Sequence, residues 1–272
     1  MRFFLVLLLC ALSPWLSCIS SKKSLKEHKG TYLESVKLNY DAGIEALKKE
    51  DYDKAISYFQ FVRSKYPFSK YAALSDLRIA DAKFAQKKWL DAASAYQVFI
   101  RLHPRHEDVA YASYRVGISY FHAVPSDFFL LPPSTSRDQS FTKEALSAIE
   151  QFILQFPDSE YLADAIEKRK LLFSYLAQHN EFIAAYYERR GRYQAAVERY
   201  LAVDKLYPET EESAHSLFLA GRILEKKLNQ PEQAMDIYRK IVQEKPDSKY
   251  RKKAQEELER LGSLPQALIE ND

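Results

Sequence analysis

The sequence predicts an all-α solenoid of five stacked helical hairpins closed by a C-terminal capping helix. Three observations predict it. An alanine followed twelve residues later by a proline occurs five times, at Ala55/Pro67, Ala92/Pro104, Ala145/Pro157, Ala196/Pro208 and Ala234/Pro246. Only six glycines stand in 272 residues, too few for the positive-φ turns of a strand-rich fold. The rest of the composition, 47% hydrophobic and 28% charged with helix-favouring Ala, Leu, Lys and Glu throughout, suits packed amphipathic helices.

Each phrase has an inner register. Four residues after the alanine come Phe59, Tyr96, Ile149, Tyr200 and Tyr238, and seven after it come Val62, Phe99, Phe152, Val203 and Ile241. Offsets of zero, four and seven define one face of a helix, so these residues are the expected core. Twelve residues upstream of the alanine a small residue recurs at Gly43, Ala80 and Ala184, with Gly221 one place off. A small side chain there lets the first helix of a hairpin approach the second. Two residues after each proline stand Ser69, His106, Ser159, Thr210 and Ser248, four of them good N-caps for the following helix. The phrase resembles the second helix of a tetratricopeptide repeat.

Taken in chain order, residues 1–17 form a signal peptide: Arg2, then an apolar stretch from Phe3 to Leu12 too short to span a bilayer. Trp15-Leu16-Ser17-Cys18 resembles a bacterial lipobox, which makes Cys18 the expected lipidation site, carrying palmitate, and 18–31 a lipidated N-terminus and tether. Ile19, where an aspartate would argue for retention at the inner membrane, favours the outer membrane. Repeats one to three occupy 32–157. The prolines are spaced 37, 53, 51 and 38 residues apart, against ~34 for a bare repeat, so the third and fourth repeats carry insertions. The third places its first helix near Asp108–Ala123, followed by a proline-rich loop over 125–140. Repeats four and five with their cap occupy 158–262. Ser159–Arg190 lacks glycine and proline and reads as one helix of about 30 residues, bent near Gln178–Asn180, that links the two blocks. Lys249–Leu261 is the expected cap, and 263–272 a tail.

Several function classes are excluded or disfavoured. A net charge of +3, from 40 basic and 37 acidic side chains, gives no reason to expect nucleic acid as a partner. Both cysteines, Cys10 and Cys18, precede the repeats, so no thiolate metal site, disulfide or cysteine nucleophile is available in the solenoid. The six histidines are scattered, with His103 and His106 the only close pair, and no metal or cofactor motif is present. Adjacent carboxylates such as Glu211–Glu212 and Glu256–Glu257 point apart on a helix and read as solvated faces. No catalytic residues, metal or cofactor are therefore expected. A solenoid does offer a continuous concave surface suited to extended peptides.

The wording narrows this further. Asp53–Phe59, Arg63–Ala72, Phe99–Pro104, Phe156–Tyr161 and the run Ala184-Ala-Tyr-Tyr-Glu-Arg-Arg-Gly-Arg-Tyr-Gln-Ala-Ala196 are similar to the BamD (YfiO/ComL) family, tetratricopeptide lipoproteins of the outer-membrane β-barrel assembly machinery. The resemblance covers roughly residues 30–245. It implies a non-enzymatic scaffold of the BAM complex, lipid-anchored at the periplasmic face of the outer membrane. Its implied partners are the periplasmic domains of the BamA-like barrel-assembling protein and unfolded β-barrel clients. The alternative is a periplasmic tetratricopeptide coordinator of cell-wall or division machinery; such proteins lack a lipid anchor and usually carry a trimerising coiled coil, and no heptad run precedes Tyr32. Where the family often has Asp-Arg-Leu-Ala, with the arginine implicated in contacting the barrel protein, this chain has Ser174-Tyr175-Leu176-Ala177.

Two surfaces are expected on these grounds. The ridge Glu188-Arg189-Arg190-Gly191-Arg192 in the C-terminal block makes Arg189, Arg190 and Arg192 partner-binding candidates, or else a helix terminus whose cations favour the helix dipole. In the N-terminal block a client groove is expected, with Tyr71 and Arg101 offering polar groups and the 125–140 loop as its border. Phe128, Phe129 and Arg137 are the loop candidates, as a lip of the groove or as a plug between repeats three and four.

Overall fold

A computed structural model describes residues 32–125 and 133–262. Cys18 and the signal segment, Phe128 and Phe129, and the tail lie outside the described residues. Those residues form eleven α-helices and one 3-10 turn, with no strand among them.

The helices pair into five hairpins: α1 (Tyr32–Lys48) with α2 (Tyr52–Lys65), α3 (Lys70–Ala85) with α4 (Trp89–Leu102), α5 (Val109–Ala123) with α6 (Ser140–Gln155), α7 (Leu162–Arg189) with α8 (Tyr193–Leu206), and α9 (Glu211–Leu228) with α10 (Pro231–Glu244). The last, α11 (Tyr250–Gly262), covers α10 and α9 as the cap. Each helix packs chiefly on its neighbours in sequence, and first helices of successive repeats also meet, α1 with α3 and α7 with α9.

All fifteen residues at offsets zero, four and seven are buried to 1% exposure or less. The small position explains how. A methyl group on Gly43 would meet the Phe59 ring at 2.6 Å, and one on Gly221 would meet the Tyr238 ring at 2.7 Å. Ala80 with Tyr96, and Ala184 with Tyr200, are packed in the corresponding clusters. The third repeat completes the series with Gly117, whose added methyl would meet Ile149 Cγ1 at 2.6 Å. Gly117 and Ile149 are 32 residues apart, against 16 for Gly43 and Phe59, because the insertion falls between them.

The turn within each uninterrupted hairpin has one residue in the left-handed region: Glu50 (φ 57°), Lys87 (φ 60°), Gly191 (φ 71°) and Asn229 (φ 53°). After α7 the Gly191 N–H donates to Glu188 O and the Arg192 N–H to Tyr187 O, at 2.9 and 3.0 Å, the crossed pair that closes a helix terminus.

The expected N-caps are corrected in two repeats, at Ser159 and Ser248. Ser69 and Thr210 are N-caps, and Thr210 Oγ1 accepts from the Ser213 N–H at 3.3 Å. His106, Ser159 and Ser248 instead accept from the N–H two residues on, at 3.2, 3.3 and 3.2 Å. A short turn therefore intervenes, and these helices begin at Val109, Leu162 and Tyr250. The long helix is a single 28-residue α7, continuous through Gln178–Asn180.

Candidate protein-interaction face

The first helices of successive repeats are linked across the solenoid by polar and aromatic side chains as well as aliphatic ones. Tyr40 of α1 packs against Tyr71 of α3, ring centres 5.1 Å apart. Between α3, α4 and α5 the Tyr96 and Tyr111 hydroxyls both donate to Asp81 Oδ1, at 2.6 and 2.9 Å, while Arg78 donates to Oδ2. Arg115 Nε donates to the Tyr96 hydroxyl at 3.2 Å, and its guanidinium lies 3.5 Å from the centre of the Phe84 ring. Burial, reinforced by the Asp81 charge, raises both phenols, Tyr111 to about 12, so they remain donors at physiological pH. Close by, His122 stacks on Trp89 at 4.6 Å; burial, and then the Arg115 and Lys168 charges, lower its pKa and keep it neutral.

Further along, Tyr114 of α5 stacks on Tyr161 at 4.7 Å and donates to Asp164 of α7 at 2.7 Å. A cleft of about 740 Å³ opens beside these residues, lined by Arg78, Tyr111, Glu107, Phe156, Glu160 and Tyr161 among others. It lies where the two blocks meet, walled by α3 and α5 on one side and by Glu160 and Tyr161 on the other. Mixed charge around aromatic walls can hold backbone groups and aromatic side chains of an extended segment together.

The predicted client-groove residues are distributed differently from one another. Tyr71 belongs to the first-helix series just described. Arg101 is exposed and lines a separate groove of about 350 Å³ between α4, α5 and α6. Arg137 is half-buried beside the 3-10 turn Ser134–Ser136. That turn is tied to α7 through His179 Nδ1, 2.6 Å from Thr135 O, and is braced by Gln139, whose amide donates to Ser134 O and Arg137 O, both at 2.9 Å.

In the C-terminal block Arg189, Arg190 and Arg192 are all exposed, at the end of α7 and the start of α8. The Arg190 guanidinium sits 5.3 Å from the Tyr186 ring, whereas Glu188 turns inward and accepts from the Tyr200 hydroxyl at 3.2 Å. Tyr186 continues a stripe that sequence reading missed. Leu171, Tyr175, Phe182 and Tyr186 are all exposed, at steps of four, seven and four along α7, which places them on one helical face. Tyr175 of the Ser174–Ala177 run is in this stripe. Beside it Ser174 and Gln178 donate to Glu212 of α9 at 2.7 and 2.8 Å, and Ser216 donates to Glu181 at 2.8 Å. Among the described residues no group of three or more His, Cys, Asp or Glu could hold a metal ion, and no helix is long and apolar enough to cross a membrane.

Comparison with known proteins gives one consistent result. The profile of the YfiO family, described as outer membrane lipoprotein, matches residues 34–236. The outer membrane protein assembly factor BamD of Neisseria gonorrhoeae is 29% identical over 236 residues, covering 86% of this chain and 88% of that protein. The BamD of Neisseria meningitidis serogroup A is 30% identical over 251 residues, covering 90% and 92%. The BamD of Caulobacter vibrioides is 28% identical over 183 residues, covering 67% and 57%.

Proposed function

Because the chain belongs to the YfiO family of outer membrane lipoproteins, we propose that it is a non-enzymatic scaffold of outer-membrane protein assembly, held by a lipid on Cys18 at the periplasmic face. One observation carries this reading: the family match runs from α1 into α10, through four complete hairpins and into the fifth, and so concerns the protein rather than one generic repeat. In this reading the two blocks, 32–157 and 158–262, have separate tasks. The C-terminal block docks the periplasmic domains of a BamA-like barrel-assembling protein, on the Leu171–Tyr186 stripe of α7 and the Arg189–Arg192 ridge. Aromatic anchors flanked by arginines are the composition of an interface centre with a charged rim. The N-terminal block receives unfolded β-barrel segments in the cleft it forms with the start of the second, between Arg78, Tyr111 and Tyr161. Phe128 and Phe129, outside the described residues, remain candidates for its border.

The test is depletion combined with affinity purification. Loss of the protein is expected to empty the outer membrane of newly assembled barrels, and the tagged protein extracted in detergent is expected to bring down a barrel-assembling partner. Normal barrel assembly on depletion, or recovery with cell-wall machinery instead, overturns the reading.

A further inference from the structure

Phe68 is 99% exposed, in the turn between α2 and α3. It is not isolated. The Tyr66 ring, two residues before it, meets Tyr32 at 5.0 Å, which brings the start of α1 to the same end of the first hairpin. There Tyr32 is 54% exposed and Leu33 67%. Three exposed cations flank the turn, Arg63, Lys65 and Lys70; the nearby Asp76 is buried and accepts from Arg63 at 3.1 Å.

The charge at this edge changes along the solenoid. The second helices of successive repeats run the same way, so their C-terminal turns share one edge. The first two turns carry Arg63, Lys65, Lys70, Arg101 and Arg105, with Glu107 the exposed acid at the second. The third turn carries Asp158 and Glu160, the fourth Glu209, Glu211 and Glu212 beside Lys205, and the fifth is again basic, with Lys245, Lys249 and Arg251 around Asp247. An anionic surface therefore attracts the N-terminal end of this edge and is disfavoured at the two acidic turns that follow. The N-terminal end is also the one the lipid would hold. From Cys18 to Tyr32 is a stretch of 14 residues, at most about 50 Å when extended.

We propose that the tip formed by Tyr32, Leu33 and Phe68, ringed by Arg63, Lys65 and Lys70, rests on the anionic phospholipid surface to which the chain is tethered. This rests on the lipoprotein reading for its setting. The apolar side chains enter the interface and the cations meet lipid phosphates, the two attractions that bind peripheral proteins to membranes. The contact orients the tethered solenoid: it stands on its first hairpin, with the acidic third and fourth turns directed away from the lipid.

The experiment uses the mature chain with Cys18→Ser, so that binding is measured without the acyl chains. Vesicles of phosphatidylcholine alone are compared with vesicles containing one quarter phosphatidylglycerol, by co-sedimentation. Binding is expected on the anionic vesicles and to fall about tenfold on the neutral ones, and about tenfold on anionic vesicles for Phe68→Ser. Lys65→Glu with Lys70→Glu is expected to abolish it. Melting curves of Phe68→Ser should match the parent, since the side chain touches no core. In a Phe68→Trp chain, anionic vesicles should shift the added emission to shorter wavelength. Absence of binding to anionic vesicles, equal binding by Phe68→Ser, or no emission shift overturns the proposal. Palmitate labelling of the unaltered chain tests the Cys18 anchor separately, so the two readings fail independently.

Discussion

Gly43 faces the ring of Phe59 so closely that a single methyl group on the glycine would come within 2.6 Å of Phe59 Cε1. Gly221 and Tyr238 repeat the relationship in the fifth hairpin at 2.7 Å. In each case the aromatic ring is fully buried and cannot retreat into solvent. Gly221→Ala and Gly43→Ala should each lose about 1–2 kcal/mol, an overpacking cost of about 1–3 kcal/mol reduced by up to ~1 kcal/mol of helix propensity gained. Denaturant midpoints check this. Tyr238→Leu in the Gly221→Ala background should recover part of the loss, because a smaller side chain makes room for the methyl.

The left-handed turn residues give a change of opposite sign. Lys87 holds φ at 60° without being glycine or asparagine. That conformation costs a side-chain-bearing residue about 1–2 kcal/mol. Lys87→Gly should therefore raise stability by about 0.5–1 kcal/mol, after the larger backbone entropy of glycine in the unfolded chain is subtracted. Gly191→Val should lower it through φ alone, since nothing lies within 4 Å of an added Cβ. Thermal midpoints of the two variants moving in the same direction would contradict this.

Asp204 gives the solenoid an acid-sensitive clamp. Its buried carboxylate accepts from Ser213 and Lys240, both at 2.6 Å, and lies 3.0 Å from Lys245 Nζ, joining α8, α9 and the end of α10. Burial alone would raise its pKa, but the Lys240, Ser213 and Lys245 donors outweigh that and hold it below the usual carboxylate value. A carboxyl with a depressed folded pKa contributes its full stability above the unfolded value near 4 and loses it as pH falls through the lower folded value. Acid titration of the unfolding free energy should show this loss, and Asp204→Asn should remove that part of the pH dependence. The same substitution should cost about 2–3 kcal/mol at pH 7, because two lysines lose their carboxylate.

Much of the fold was legible because repeats average out local noise. Fifteen core positions followed from five copies of one phrase, and the left-handed turns did not disturb the register. Gly117 was not legible: the insertion doubled its distance from Ile149, so a fixed upstream offset landed at residue 133. Ser159 and Ser248 are suited to capping, yet each accepts from the N–H two residues on and its helix starts later, at Leu162 and Tyr250. The interaction face was harder still. Asp81, Tyr96, Tyr111 and Arg115 come from three helices, and no spacing within any one of them announces the network. The stripe on α7 had the helical period, but the same period marks core positions, and only burial distinguishes Leu171 and Tyr175, exposed, from Leu172 and Leu176, buried.

The two proposed protein surfaces can be separated by charge. Arg189, Arg190 and Arg192 are exposed, and Arg190 lies over the ring of Tyr186 within the same helix terminus. Reversal of Arg189 and Arg190 to glutamate removes two cations that favour the C-terminal end of α7, at a stability cost of roughly 0.3–1 kcal/mol each. As rim charges of a docking surface they should do more to association, slowing it and changing its salt dependence. Tyr175→Ala and Phe182→Ala, at the middle of the stripe, should instead speed dissociation, because buried aromatic anchors govern the lifetime of an interface. Client binding in the cleft lined by Tyr111 should be untouched by all four changes and weakened by Tyr111→Phe, which keeps the ring but removes the hydroxyl that Asp81 accepts. Kinetics measured with the isolated partner domain and with a barrel-derived peptide resolve both surfaces. If Tyr175→Ala and Phe182→Ala leave partner dissociation unchanged, the stripe is not the docking surface.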